Sequence, residues 1–471
     1  MPLIPVHNIS ALDLKVSPFL KGDGQVLRLL NVERDSIGGW KKRLGYTTFL
    51  GTPDNAQINS LFSWTRNDGT SLYLYRTSGS ILYHSIQGTG AWTTSGNGTI
   101  SNNGHFGQTV LDDVLIGGDG TLASRHTTNG TSFSDTTGAP LAEHWVGYEG
   151  RAWAARGTAT SGTNTDMFYS TTGTATDWTT DSSSIRIPGP GRVNSLFKAA
   201  DRLTPTKDSG NMFRYDGFNL QDLATNLGPS SAYSIGNVED FRIYLTRVGV
   251  IGYGGGRPEL LSNSIERQIY NDAGSAIAGT TFANAPGIIH RYNWLCSVGT
   301  ITEDITNFTI ADAILKYDFQ LNEWSNWKFA NRPTAFGTYQ DTSGNQQLIF
   351  GDATGQCYQL AGTATTDNGN TIEAIIMGFV HGGSFDEKKW NWFNAMFNPG
   401  CQAKVQIALS DTFTYGKLNW IDLGDAKNGV VEFRFPSGSR GRFLFWKIYE
   451  ASRNTRFQFY GCEYDADIIR H

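Results

Sequence analysis

Between residues 51 and 367 one unit keeps returning: an apolar strand, a Gly or Asp turn, a second β-rich strand, then a Tyr or Trp beside a polar loop. The clearest copies are SLYLYRTSGSILYHSIQGTGAWTT, RAWAARGTATSGTNTDMFYSTTGTATDWTT, ILKYDFQLNEWSNW and QQLIFGDATGQCYQL. Degenerate ones lie between them: DDVLIGGDGTLASRH, DRLTPTKDSGNMFRYDGF and DFRIYLTRVGVIGYGGG. Seven units of roughly 45 residues match the period of a four-stranded propeller blade, and the degeneracy of the copies leaves six or eight open. Such a repeat constrains the fold strongly. One small twisted sheet has two faces to bury and only neighbours of its own kind to bury them against, so the sheets stack around an axis and the ring closes most of their edges. Trp92, Trp178 and Trp324 fall where outer strands end and read as packing between blades.

The flanks have a different texture. Residues 1–50 read as an N-terminal hairpin arm: GQVLRLLNV alternates, DSIGG is turn chemistry, and WKKRLGYTTFL alternates again. In that second strand Trp40, Lys42, Leu44 and Tyr46 share one face, and Lys41, Arg43 and Gly45 the other. Residues 368–471 read as a β-sandwich, from TIEAIIMGFV, AKVQIALS, VVEFRFPSG, GRFLFWKIYEAS and RFQFYGCEYD. FDEKKWNWFNAMF could pass for a helix, but its Trp390, Trp392 and Phe393 fit strand alternation as well, and strand is the reading taken. The expected fold class is therefore all-β. Charged residues are only 17% and aromatics 13%, with 55 glycines, a balance that suits strands and turns.

Little points to covalent chemistry. No HExxH, GxSxG, P-loop or strand-to-helix GxGxxG occurs, and GYGGGRPEL has no helix to follow it. A propeller glycosidase would carry turns of the type S-x-D-x-G-x-x-W; YSTTGTATDW has Thr172 where the Asp belongs. The carboxylate pairs Asp112–Asp113 and Glu239–Asp240 stand in short turns, and six histidines, from His84 to His381, lie singly without ligand spacing. Cys296, Cys357, Cys401 and Cys462 are too scattered for a disulfide framework or a zinc knuckle and suit a reducing compartment. No catalytic residue, metal or cofactor is expected. The longest apolar run, IIMGFV, is too short to cross a bilayer, and MPLIPVHNISALDLK lacks the pattern of a secretory signal, so a soluble protein without membrane insertion is expected. A net charge of −5 argues against a protein that grips nucleic acid.

Three stretches together resemble a known family. LNVERDSIGGWKKRLGYTTF, MFYSTTGTATDW and GRFLFWKIYEASRNTRFQFYGCEYD are similar to the corresponding parts of short-tail nozzle proteins of tailed bacteriophages, also called packaged-DNA stabilisation or tail-tube-B-type proteins. The family's pattern of an apolar-Asn strand followed by Gly, aromatic, basic and Gly is matched by Asn31, Gly39, Trp40, Arg43 and Gly45. The resemblance implies a homo-oligomeric ring, hexameric in the family. It would sit below the portal and its adaptor (the head–tail connector), be closed by a tail needle or plug protein, and conduct double-stranded DNA without tight binding. The implied location is the short tail of a virion, assembled in the host cytoplasm. A mildly acidic protein fits that role, since a Lys- and Arg-lined passage would brake a polyanion. On this reading the basic run is a docking element for the adaptor or a neighbouring subunit, with Trp40 and Tyr46 as anchors and Lys41, Lys42 and Arg43 as its charged part; a solvated outer hairpin of the first blade is the plainer alternative. Arg440, Arg442, Trp446 and Lys447, in a run with Arg434, Arg453 and Arg456, are expected at a subunit contact or on a charge-protected sandwich edge. The competing function is a receptor- or glycan-binding propeller at the tail tip, with glycosidase activity as a further option.

Overall fold

The computed structural model describes residues 4–6, 12–14, 25–35, 38–69, 71–86, 90–155, 165–180, 182–271, 274–277, 279–302, 308–382, 384–413, 417–452 and 457–469. The described residues of each repeat unit read from the sequence lie within one blade of a seven-bladed β-propeller. Five blades are separate four-stranded antiparallel sheets, running from Ile58–Thr65 to Thr93–Thr99, Gly107–Leu111 to Ser134–Asp135, His144–Tyr148 to Ser183–Arg186, Val193–Ala199 to Leu220–Ala224, and Gly236–Val238 to Glu259–Leu260. Blade 6, from Gly287–His290 to Glu323–Lys328, is one end of a nine-stranded sheet, and blade 7 lies in a six-stranded one.

Turn chemistry sets the hairpins. First and second strands of blades 2, 3 and 4 are joined by the two-residue turns Asp112–Asp113, Glu149–Gly150 and Ala200–Asp201, all at positive φ. This is the twist-matched geometry of tight hairpins. Glu239, at φ 49°, begins the equivalent turn of blade 5. The sequence-level carboxylate pairs are these turn residues. Trp178 and Trp324 are buried and Trp92 is half-buried; Trp92 packs on the blade 7–blade 1 seam and Trp178 on the blade 2–blade 3 seam, and Trp324 packs against Trp294 and Tyr317 in blade 6 while its indole N–H donates to the Leu261 carbonyl just after blade 5.

The expected hairpin arm forms only in part among the described residues of 1–50, which join both the propeller and the sandwich. Val32–Arg34 does pair antiparallel with Trp40–Lys42, but the chain then breaks at 43–45 and Tyr46–Phe49 leaves for the propeller. There it becomes the outer strand of blade 7, antiparallel to Cys357–Leu360, while the innermost strands of blades 7 and 1 pack directly. The ring is thus closed by pairing an early segment with a late one. The preceding strand, Val26–Leu30, is buried along its whole length. It runs parallel to the outer strand of blade 6 at Leu30–Asn326 and antiparallel to Ala374–Val380, making blade 6 and one sandwich layer a single sheet.

The sandwich forms from the strands expected of residues 368–471, including Lys388–Phe397, which is strand as read. It is not built from them alone. Its second layer takes in Ile4–Val6, Val32–Arg34 and Trp40–Lys42, because the long strand Gln458–Ile468 would otherwise leave an open edge. A single hydrophobic core runs from the sandwich, through Phe379, Trp390, Trp446 and Tyr464, into blades 5 and 6 at Leu245, Trp294 and Trp324.

Candidate functional site

The basic run read as a docking element turns out to be a weld. Alternation places Trp40 and Lys42 inward and Lys41 outward, as a strand requires, but the inward face meets the chain's own core. Lys42 Nζ lies 2.5 Å from a Glu450 carboxylate oxygen and donates to the Ser452 carbonyl at 2.9 Å; neither ion-pair partner has exposed side-chain surface. Arg43, also without exposed surface, donates two bonds to Asp367, at 2.8 and 2.6 Å. Its remaining donors reach Asn31 Oδ1 at 2.8 Å and the carbonyls of Leu44 and Lys328 at 2.8 and 2.5 Å. A guanidinium sealed from water needs such full satisfaction, because each donor left open costs the desolvation it cannot recover.

The partners come from every part of the fold that must be joined. Asn31 stands at φ 53°, accepts from Lys328 N at the end of blade 6, and donates to the Glu373 carbonyl at the entry to the sandwich. Asp367 follows blade 7. Gly45 passes so close to the strand opposite that a Cβ would lie 1.9 Å from the Thr366 carbonyl oxygen. Gly39 is nearly as tight, with a Cβ 3.0 Å from the Phe459 carbonyl oxygen. Trp40 is buried beneath Arg34, and Tyr46 is buried among Phe329, Phe350 and Tyr358, its hydroxyl donating to Asn331 Oδ1. The docking expectation is therefore corrected for Trp40, Lys42, Arg43 and Tyr46, which are interior; Lys41, with 38% of its side chain exposed and Glu33 at 3.7 Å, is the one member that faces solvent.

The C-terminal set divides similarly. Trp446 is buried against Gly378 and Phe459 and is not at a surface seam. The other face of its strand is covered too, with Phe443 and Phe445 under Phe379 and Phe413. Lys447 is half-buried, its ammonium 5.0 Å from the Trp420 ring, and burial lowers its pKa. Arg440 and Arg442 are exposed. Arg453 and Arg456 lie outside the described residues.

A second constellation was not anticipated from the sequence. At the end of the hub where the innermost strands begin, a short 3-10 turn, Ala232–Ser234, precedes blade 5. It sends the Tyr233 ring across the axis onto His105, which precedes blade 2, with centroids 3.6 Å apart and planes within 14°. The Tyr233 hydroxyl donates to Glu143, which precedes blade 3. Burial pushes the His105 imidazole down to about 4 and that of neighbouring His144 to about 3, the latter helped by His105 and Arg192. Both rings are neutral near pH 7. This aromatic cross-tie spans one end of the hub, and beside it blades 3 to 5 line a half-open cavity of about 600 Å³. Among the described residues no group of three or more His, Cys, Asp or Glu side chains could hold a metal ion.

No family model and no curated protein matches the chain. Among solved structures it is similar to the WD40 domain of Neurospora crassa Pan2, with a TM-score of 0.40 and 9% identity over 69% of this chain and 96% of that one. Saccharomyces cerevisiae Sqt1 gives 0.40 and 6% over 67% and 99%. BBS1N, from its complex with ARL6DN, gives 0.41 and 9% over 68% and 98%. These likenesses concern the propeller fold and carry no function.

Proposed function

We propose that this chain is the subunit of a short-tail nozzle, a ring below a portal adaptor that retains packaged DNA and later conducts it. One observation supports this most: the residues that carry the family resemblance, Asn31, Gly39, Trp40, Arg43 and Gly45, converge on the junction where propeller and sandwich are fused. A junction this tightly packed constrains its residues more than a surface pattern of the same length would. A rigid two-part subunit sharing one core suits a ring that must hold against pressurised DNA without hinging. Since Tyr233 and His105 meet across the hub, the duplex would pass between subunits and not through any one propeller. The ring contact is assigned to the exposed basic side chains Lys41, Arg440 and Arg442, with half-buried Lys447 beside them.

Light scattering of the purified protein, alone and mixed with DNA-filled tail-less heads, tests this. Rings are expected on the heads, and Arg440→Glu with Arg442→Glu should leave folded monomers that no longer add to them. A wild-type protein that stays monomeric with heads, or a doubly reversed variant that still forms rings, would overturn the respective claim.

A further inference from the structure

We infer that the cavity beside the hub cap is a docking site for an acidic peptide segment of a partner protein. Its volume, about 600 Å³, is that of a built ligand site and not a surface dimple. Its wall is stiff: Tyr233 is clamped by the His105 stack and the Glu143 carboxylate, and the 3-10 turn that carries it is tied down by Ser231 Oγ donating to the Ala285 carbonyl and Trp294 Nε1 donating to that of Ser234.

The charges lining it identify the ligand. Glu143 already accepts from Tyr233, and Asp208 faces Arg192 at 3.4 Å. Arg247, in the turn between the second and third strands of blade 5, is exposed and has no carboxylate partner among the described residues. An open guanidinium calls for a planar oxyanion that it can grip with two N–H groups. A phosphate dianion would sit against Glu143 and Asp208, so a singly charged carboxylate is the better match. Sugars are less well served, because Tyr233 has one ring face covered by His105 and its hydroxyl already bonded to Glu143. Val248, 47% exposed, and Ala283 add apolar rim. An extended peptide with one carboxylate between small apolar residues satisfies all of these.

This inference does not depend on the nozzle reading; it concerns one propeller and is tested on the soluble chain. Fluorescence anisotropy with fluorescein-labelled Ala-Val-Asp-Val-Ala, amidated at its C-terminus, should show saturable binding to the full-length protein. Arg247→Glu, at an exposed turn, should keep the thermal midpoint and weaken binding roughly tenfold or more, as should changing the peptide to the amidated Ala-Val-Asn-Val-Ala. Ala283→Trp, which fills the rim, should abolish it. Absence of saturable binding by the acidic peptide, or equal binding by Arg247→Glu or by the neutral peptide, overturns the proposal; Arg247-dependent binding of oligogalacturonate without peptide binding would replace it with an acidic-glycan site.

Discussion

Removing the Arg43 guanidinium should unfold propeller and sandwich together. The Arg43–Asp367 pair is sealed, with 0% and 2% side-chain exposure, so Arg43→Met leaves a carboxylate that keeps one donor, Ala330 N at 3.2 Å, and no counter-charge. The carbonyls of Leu44 and Lys328 lose their donors as well. Orphaning a buried charge costs about 3–5 kcal/mol. Arg43→Met with Asp367→Leu removes both charges, so most of that loss should return, giving a coupling of at least about 2 kcal/mol in a double-mutant cycle. Urea unfolding followed by tryptophan fluorescence reads it, with Trp327 as a local reporter 5.9 Å from the guanidinium. The shared core also predicts one transition for the wild type. A single-variant loss below about 1 kcal/mol, a double variant as poor as the sum of the singles, or two separate wild-type transitions would refute the weld.

Three further outcomes follow from the same geometry. Gly45→Ala drives a methyl into the Thr366 carbonyl and should cost several kcal/mol, of order 3, in the same urea assay, with Gly38→Ala, which meets no neighbour, losing about 1 through its positive φ alone. The His105 imidazole is held near 4 in the folded chain against an ordinary 6.5, so the unfolded state takes up the proton first as pH falls. Stability is therefore complete above about pH 6.5 and declines towards pH 4, by about 1.4 kcal/mol per unit for this group; His105→Phe, which keeps the stack, should remove that part of the slope in denaturation curves taken across the window. Trp446→Ala should destabilise by about 3–5 kcal/mol, whereas Arg442→Ala should stay within about 0.5 in thermal melts of the monomer, and the reverse ranking would contradict their burial.

The blades were legible because their signal is local: strand alternation, Asp and Gly turns, and aromatic spacing all act within one repeat, as LYLYRTSGSILYH shows in blade 1. The sandwich strands were legible for the same reason, even Lys388–Phe397 with its helical look. What misled was charge. Three consecutive basic residues ordinarily mark a solvated surface, and nothing near Lys42 or Arg43 in the chain announces the acids that accept them inside, Glu450 and Asp367. Such pairing is long-range, so a single sequence carries no trace of it; Asn31 and Gly45, an asparagine and a glycine bracketing the strands Val32–Arg34 and Trp40–Lys42, were the available hint of tight backbone crossing. The Tyr233–His105 cap joins blades 5 and 2 and was hidden for the same reason. Trp446 was misplaced because alternation reports which side chains share a face but not that both faces of a strand are covered.

The pairing of Tyr46–Phe49 with Cys357–Leu360 has a temporal side. On a ribosome the closing strand is made first and must wait for its partner, at roughly 5–20 residues per second, for tens of seconds. Until then the flanks of the first and last blades lack their mates, and the strand Val26–Leu30 has neither of the neighbours it bridges. The nascent protein thus cannot mature piece by piece in the order it is translated; it reaches its final form only after the last third has emerged, and during that interval its unmatched edges are what a chaperone, or another nascent copy, would meet.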